Sequence, residues 1–577
     1  MAKQERQEKR ERSKIVEEVY AEYERLRGQS SERRSNYDTY KKWFEGDESV
    51  MWSKGRPDWM PKVIANLLEA KIRTKIAILT DNKPKFYVYG IPEVDMIEDF
   101  QNLAQLPPGT PQEQLTPGMQ QAQGLINLSK NMNIALDHIW RYNDMNEVIR
   151  RIVIEGSITG LLACRVYWDN EATKYGEVKI ESIHPRYIYF DENIKRIDFE
   201  DGSCDWFIVA VPRPLTWFNY YFPGKEVQEL PGYEDKSYSA KMGLYIEAYS
   251  SDFAVTKETT GEIVNLRKSF PSGKYAIIGG NTLLSDGWEP IDVFPYVVRP
   301  YELSSETYMG DGDVRRGKKL QEDFNSKISQ LSLNVALTAN KQKIVNLAQM
   351  GIKKDVLLEH TGEPGYIFFS GKNIEDVKKA MTDLNSTEVN VEALNYIYLI
   401  PSLLEEVMGI SRTMSSGAPA KKERQSQYEI AKQYESGVIR QKGAAHNIES
   451  FLTDVGNVTI ENIKRHWHQP RKIYAVNNNE LNVNVFEYPR DENDEPIDYD
   501  FIVTIQPETM LPVDLQSQAE RDMNLFQMTQ GKFPDPQTLL ESVHHPKIAQ
   551  IMQRLKEGEQ NVGPAPQTTA APGPAGA

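Results

Sequence analysis

Cysteine is nearly absent: the 577 residues hold two, Cys164 and Cys204, in apolar, strand-like surroundings and without partners at metal-ligand spacing. That excludes a disulfide framework and fits a reducing compartment with simple core thiols. No glycine-rich segment precedes a Lys-Ser or Lys-Thr pair, so the phosphate-binding loop of an ATPase is missing. The eight histidines are scattered. His466 with His468 at a helix end, and the adjacent His544 and His545, meet no Cys or acidic cluster in sequence. Asp311, Asp313 and Glu322 imitate the ends of a calcium loop, but Arg315 and Arg316 stand where such a loop needs an oxygen ligand and its turn glycine. Neither a Ser-His-Asp nor a Cys-His arrangement is legible. No apolar run is long enough to span a bilayer and no apolar signal segment opens the chain, so a soluble intracellular product without a membrane partner is expected. The formal charge of -15 is mild for this length and argues against a chain whose main task is wrapping DNA, which needs Lys and Arg in excess. No catalytic residue, no metal and no cofactor is expected.

What is present is organised around residues 310–467. A first helix, VRRGKKLQEDFNSKISQLSLNVALTANKQ, repeats Leu320, Phe324, Ile328, Leu331, Val335 and Thr338 at three- and four-residue intervals, one buried stripe with polar opposite faces. Asp313 is placed to cap its start. A second helix, VEALNYIYLIPSLLEEVMGI, carries Val391, Leu394, Ile397, Leu404 and Val407 on a similar stripe, and Pro401 in its middle lacks an N–H and should bend or divide it. After Ile410 the run SRTMSSGAPAKKERQ is small, polar and broken by Gly417 and Pro419, which reads as a loop. Helical spacing then returns from Arg424 to His466.

The rest of the chain divides into two to four units by its length. Residues 1–34 mix charges of both signs around a thin stripe of Ile15, Val16, Val19, Tyr23 and Leu26, and read as an exposed, solvated helix rather than a basic DNA-binding arm. Tyr40, Trp43, Phe44, Trp52 and Trp59 follow between turn residues, packing at a domain edge or anchoring a subunit contact. A helix runs from Val63 to about Thr80 and a short strand from Phe86 to Tyr89. The Gln/Pro/Gly-rich stretch at 101–125 reads as an exposed, mobile insertion. Helices are expected at 128–142 and 145–159, then short alternating strands from Gly160 to Tyr301, a mixed α+β domain. Asp355–Leu358 and Gly365–Phe369 are the strand candidates between the two central helices. Lys472–Glu487 and Ile497–Pro507 look like two further strands rejoining that domain, 513–555 looks helical, and the tail from Val562 looks disordered.

Four segments together resemble the tailed-bacteriophage portal protein family. They are YMGDGDVRRGKKLQEDFNSKISQLSLNVALTANK with its Gln321–Asn325 core, IPSLLEEVMGISRTMSSGAPAKKERQSQYEIAKQYE with its Met-Gly-Ile-Ser turn, VIANLLEAKIRTKIAILTDNKPKFYV, and ETMLPVDLQSQAERDMNLFQMTQGKFPDPQTLLESVHHPKIAQIMQRL. The resemblance implies an α+β portal fold: a mixed α/β wing, a helical stem, a small clip with short strands, a long ring-crossing helix and a helical crown. It maps an N-terminal charged helix and aromatic segment to 1–60, the wing to 61–313, the first stem helix to 314–340, the clip to 341–388 and the second stem helix to 389–409. The tunnel loop falls at 410–424, the long helix at 425–467, returning wing strands at 468–512, crown-like helices at 513–561 and the tail at 562–577.

The implied function is a ring of twelve copies at one capsid vertex that passes double-stranded DNA, independent of sequence, during packaging and ejection. Expected partners are further copies of the chain, the large terminase subunit, the major capsid protein, a scaffolding protein, and head-to-tail connector or tail proteins. A ring needs weak, phosphate-directed channel contacts. Lys318, Lys319, Lys327, Lys341 and Lys343 on or next to the first stem helix, and Lys421, Lys422 and Arg424 at the loop, are the cationic candidates. Ser411, Met414, Ser415, Ser416, Gly417 and Pro419 are the tunnel-loop candidates, and Pro401 the bend. The competing readings are another structural virion protein, such as a head-tail adaptor, and a nucleic-acid-processing enzyme, which would need a metal cluster or phosphate loop.

Overall fold

A computed structural model of the chain describes residues 2–52, 61–81, 84, 86–92, 96–105, 115–199, 203–234, 241–251, 272–304, 307–339, 343–345, 381–383, 391–410, 427–477, 480–490, 496–497 and 499–505. The chain forms two compact units, one of residues 1–417 and 440–511, the other of residues 418–439 and 512–577. In the second, the described residues are the first turns of one helix, 427–439; the first is described below.

Helix α1 spans Ala2–Gln29, α2 Ser31–Glu45 and the short α3 Glu48–Met51. Gly46 ends α2 in the left-handed region at φ +76°, and the Asp47 carboxylate accepts from the Ser49 N–H to start α3. The expectation of an exposed helix over 1–34 is corrected. Val19, Tyr23 and Leu26 are buried among sheet residues including Ile208, Ile246 and Ile278. A stripe one residue wide is enough to cover a flat sheet while the charges face outward.

Helix α4 is Leu67–Thr80. It starts at Leu67 rather than Val63 because the Asn66 side chain accepts from the Glu69 N–H, which fixes the first turn there. Strand β1 is Phe86–Gly90, α5 Ile97–Gln105 and α6 Pro117–Tyr142. The insertion read at 101–125 is therefore too wide. Thr116 accepts from the Met119 N–H as N-cap, Pro117 sits where a helix tolerates it, and Ala122 and Leu125 are buried. Helix α7, Met145–Thr159, ends on Gly160 at φ +90°.

The strand-rich section holds β2 (Leu161–Asp169), β3 (Glu177–Ser182), β4 (Ile188–Phe190), β5 (Trp206–Pro214), helix α8 (Leu215–Tyr221), β6 (Glu229–Glu234) and β7 (Lys241–Ser250). It closes with β8 (Lys274–Gly279), β9 (Thr282–Leu283), β10 (Glu289–Pro290) and β11 (Tyr296–Pro300). They form a three-stranded antiparallel sheet in the order β11-β2-β3 and a seven-stranded one, β10-β8-β7-β5-β4, with β6 beside β7 and β9 beside β8. Alternation along β5 sends Phe207 and Val209 into a core shared with Leu161, Ala163 and Val298 of the smaller sheet, and Ile208 and Ala210 toward α1. The larger sheet is thus covered on both faces.

One carboxylate ties the sheets together. Glu247 of β7 is fully buried and accepts from Arg165 of β2 at 2.6 Å, Tyr245 at 2.7 Å, Tyr249 at 3.1 Å and Tyr296 of β11 at 2.6 Å. Four donors on two oxygens compensate the charge's lost hydration. Cys164 and Cys204 are buried free thiols, and burial pushes the Cys204 thiol up to about 12.

Helix α9 runs Asp313–Ala339. Strands β12 (Lys343–Val345) and β13 (Met381–Asp383) pair antiparallel, so β structure lies nearer the flanking helices than the candidates at 355–358 and 365–369, which fall outside the described residues. Helix α10 is Val391–Met408 and α11 Gln427–His466, 40 residues long. Strands β14 (Arg471–Asn477) and β15 (Glu480–Phe486) make a hairpin, and β16 (Phe501–Ile505) pairs antiparallel with β1. The expectation that 472–487 is one strand joining the large α+β domain is corrected. It folds on itself, and Phe501–Ile505 joins the strand before α5 instead. The segments expected to be helical at 513–555 and disordered from 562 lie outside the described residues.

Candidate functional site

The centre of residues 310–467 is the pair α9 and α10. Phe324, Ile397 and Ile400 are buried together, with Leu320, Ile328 and Leu331 half-buried around them. The expected stripe on α9 stops there: Val335 is exposed, and the Thr338 side chain lies outside the described ones. On α10 the stripe is Ile397, Ile400, Leu404 and Met408, while Val391 and Val407 are exposed. Which of two apolar arcs faces inward is set by what lies opposite, and periodicity alone does not supply that. Gly317 of α9 admits the close approach of a third helix, since a methyl group there would overlap Leu68 of α4 and press on Leu404 of α10. Pro401 does not divide α10, which runs unbroken across it. The proline removes one main-chain hydrogen bond from a helix otherwise held by packing.

The opposite faces of α9 are polar, as expected, but one of them is not turned to solvent. Gln321, Asn325 and Ser329 are buried, at a spacing of four residues. They bind the extended segment before α4. Gln321 Oε1 accepts from the Leu68 N–H at 3.0 Å, and Gln321 Nε2 donates to the Ala65 carbonyl at 2.7 Å and to Asn325 Oδ1 at 2.9 Å. Asn325 Oδ1 accepts from the Ala65 N–H at 3.4 Å, and Ser329 Oγ from the Val63 N–H at 3.0 Å. The pitches match: two extended residues advance about 6.6 Å and four helical residues about 6.0 Å, so one short polar side chain per turn meets successive backbone groups. The Gln-Glu-Asp-Phe-Asn stretch therefore works as a zipper, with Phe324 on the apolar seam and Gln321 and Asn325 on the polar one.

A buried ion network fixes the start of α9. Lys75 Nζ of α4 donates to Asp313 Oδ1 at 2.8 Å and Glu302 Oε1 at 2.9 Å, the Tyr301 hydroxyl donates to Asp313 Oδ2 at 3.0 Å, and Arg316 pairs with Glu302. The cap expected of Asp313 gives way to a different role, since both its oxygens accept from these side chains. Burial works against the Lys75 charge, yet Asp313 and Glu302 outweigh it and hold the ammonium above its usual range. Burial likewise opposes the Glu302 charge, and Lys75 and Arg316 reverse that, lowering the carboxyl. Lys71 pairs with Glu405 at 2.6 Å, binding α4 to α10 as well.

At its far end α10 stops on Gly409, φ +69°, with the Ile410 N–H donating to the Glu405 carbonyl at 2.9 Å and the Gly409 N–H to that of Glu406 at 3.2 Å. Gln441 of the long helix adds Nε2 bonds to the Met408 carbonyl at 3.2 Å and the Gly409 carbonyl at 2.7 Å. The chain thus leaves α10 at a fixed point against α11. Farther along, Asn447 donates to the Tyr301 carbonyl at 3.1 Å, Asp454 takes both arms of Arg299 at 2.5 and 3.1 Å, and buried Gly456 lies against Val503 and Phe86. The same helix ends with His466 flat on Trp168, ring centres 4.8 Å apart. Among the described residues no three His, Cys, Asp or Glu side chains gather as a metal site, and no helix is long and apolar enough to cross a membrane.

Of the cationic candidates, Lys318 is half-buried with its Nζ about 6 Å from the Tyr40 and Trp43 rings, Lys319 is exposed and Lys327 half-buried. Lys343 lies on β12; Lys341, Lys421, Lys422 and Arg424 fall outside the described residues. So do Ser411, Met414, Ser415, Ser416, Gly417 and Pro419. Sequence reasoning missed Lys75, Gln321, Asn325 and Ser329. The one signal for the last three was short polar side chains repeating every fourth residue beside the apolar stripe.

Compared with protein families, residues 120–576 match the phage P22-like portal proteins, a span that takes in most of α6, both sheets, the α9–α10 hairpin and the long helix. The chain belongs to this family. No curated protein matches it. The family is structural and non-catalytic, and the mixed α/β architecture with long helices and small sheets agrees with a portal fold. As a portal protein the chain serves the packaging and ejection of phage DNA. The zipper and the ion network join the hairpin to α4 and to the chain after β11 through buried polar contacts.

Proposed function

We propose that this portal protein assembles as a closed ring, a dodecamer, at one capsid vertex, and that double-stranded DNA passes along its axis independent of sequence. The family match over 120–576 carries the reading, because it spans the whole succession of hairpin, insert and long helix. In this reading the stem is 314–340 and 389–409, the wing 61–313 with 468–512, and the crown 513–561. The clip at 341–388 docks the large terminase subunit during packaging and head-to-tail connector proteins afterwards. The major capsid protein and a scaffolding protein meet the ring where it sits in the shell. The loop at 410–424 forms the constriction, with Lys421, Lys422 and Arg424 as its cationic rim, and the lysines on and after the first stem helix supply further phosphate contacts.

Negative-stain electron microscopy of the purified chain tests this directly. Rings with an axial hole wide enough for duplex DNA are expected, and a stable monomer under assembly conditions overturns the reading. Neutralising Lys421, Lys422 and Arg424 should flatten the salt dependence of DNA binding, by about 0.9 in the log-log slope for each phosphate that is no longer neutralised.

A further inference from the structure

The buried stripe of α11 runs through Gln441, Ala444, Ala445, Ile448, Phe451 and Leu452, and every one of these positions but the first is apolar. Gln441 is 1% exposed. Its Nε2 donates to the last two carbonyls at the end of α10, Met408 at 3.2 Å and Gly409 at 2.7 Å, while its Oε1 is buried without a hydrogen-bond partner among the described residues. Both neighbours are acceptors, which fixes the amide orientation. Only the donor half of the side chain is used, so the residue stands in an apolar stripe for its two N–H groups. It is not needed to stop α10. The Gly409 and Ile410 N–H groups already close the last turn on the Glu406 and Glu405 carbonyls, with Gly409 left-handed at φ +69°. What the amide adds is a direction. Gly409 lies so close under it that a methyl group there would stand 2.9 Å from Nε2 and 3.4 Å from the Arg440 Cβ, and the two carbonyls it holds belong to the residues from which the chain departs toward 410–424.

We propose that Gln441 is a positioning residue for DNA passage: by holding the Met408 and Gly409 carbonyls against the long helix, it sets the direction in which the chain leaves α10 for the channel. The inference rests on the reading of 410–424 as the constriction. Two carbonyls at a helix end need donors, and without Gln441 they must turn toward water. Turning them rotates the peptide planes on either side of Gly409, the one residue there whose backbone meets no side-chain penalty for doing so. The exit of α10 then swings, while the seam of Ile397, Ile400 and Leu404 that holds the helix in the hairpin is untouched.

The test uses full-length rings built into heads, with DNA protected from nuclease measured per head and ring formation followed by electron microscopy. Gln441→Leu removes both donors and fills the same space; it should form rings at the wild-type level and package at least tenfold less DNA. Gln441→His places a ring Nε2–H as many bonds from the backbone as the amide nitrogen, and should recover at least half of wild-type packaging. That rescue separates a donor from a space-filling side chain, which leucine replaces equally well. Wild-type packaging by the leucine variant, loss of its rings, or a histidine variant no better than leucine overturns the proposal. Neutralising Lys421, Lys422 and Arg424 in the same heads reports on the constriction separately. Packaging lowered there but untouched by Gln441→Leu removes this proposal alone, and packaging untouched by either removes the constriction reading with it.

Discussion

Lys75 shows how much one side chain can hold. It is 2% exposed and touches two acids from different segments, so removing it leaves Asp313 buried without a counter-charge. Lys75→Met should cost about 3–5 kcal/mol in chemical denaturation. Adding Asp313→Leu should recover a large part of that, and a single-variant loss below about 1 kcal/mol would contradict the role given to the network. The same residues set a pH limit. The Glu302 carboxyl is lowered from its ordinary 4.5, so its stabilisation is present above that value and is lost as pH falls through the lower folded-state pKa. The Lys75 ammonium is raised from 10.5, so its contribution is present below that value and is lost only as pH rises through the higher folded-state pKa. The Glu302 and Lys75 contributions are therefore both flat near neutrality, while burial raises the Asp313 carboxyl and sets its contribution against that of Glu302 in acid. Glu302→Gln should reduce the steepness of acid unfolding below about pH 4.5, measured by fluorescence against wild type.

At the scale of the element, α9 is read on two seams at once. The apolar seam is visible from spacing; the polar one looks like a solvated face because Gln, Asn and Ser are usually exposed. Its burial follows from the strap at 63–68, whose backbone groups would otherwise be unpaired. Gln321→Leu removes both the acceptor for the Leu68 N–H and the donor to the Ala65 carbonyl, and should cost about 2–4 kcal/mol. Hydrogen exchange at residues 63–68 should quicken in that variant, whereas unchanged protection there would show the strap to be held by its apolar side chains alone. Pro401 illustrates the opposite case. Local chemistry argues for a bend or a division; the helix is not divided, and the buried stripe of Ile397, Ile400 and Leu404 runs on both sides of the proline.

At the scale of the whole first unit, distant parts of the chain complete one another. Strand β16 is β1's one strand partner among the described residues, with Phe86 opposite Ile505 and Gly90 opposite Phe501. A chain ending at residue 497 should therefore melt at a lower temperature than one ending at 511, because β1 loses its ladder and Val88 its cover. Equal melting would mean that α6 alone holds β1 through Asn133 and Ser129, whose side chains accept from the Val88 and Gly90 N–H groups at 2.9 Å each. The long helix has the same integrating role. Gln441, Asn447 and Asp454 each bind a different element, so one rigid rod fixes the hairpin end, the chain after β11, and β11 itself.

By itself the sequence determined the local elements. Helix α7 has the bounds expected at 145–159 and β2 opens the strand-rich section expected from Gly160, because the capping glycine between them is a property of neighbouring residues. It also carried the family resemblance, in turns and helix ends such as Met408–Ile410. Tertiary structure decided what each exposed-looking face meets. The α1 stripe became a cover for the large sheet, Gln321 and Asn325 a zipper, Asp313 an ion-pair partner, and 472–486 a hairpin of its own. The hairpin pairs residues no more than 15 apart, and for the other three the physical reason is common. Burial and hydrogen-bond partners come from segments tens to hundreds of residues away, and no periodicity within a helix or strand encodes which distant backbone or carboxylate will arrive.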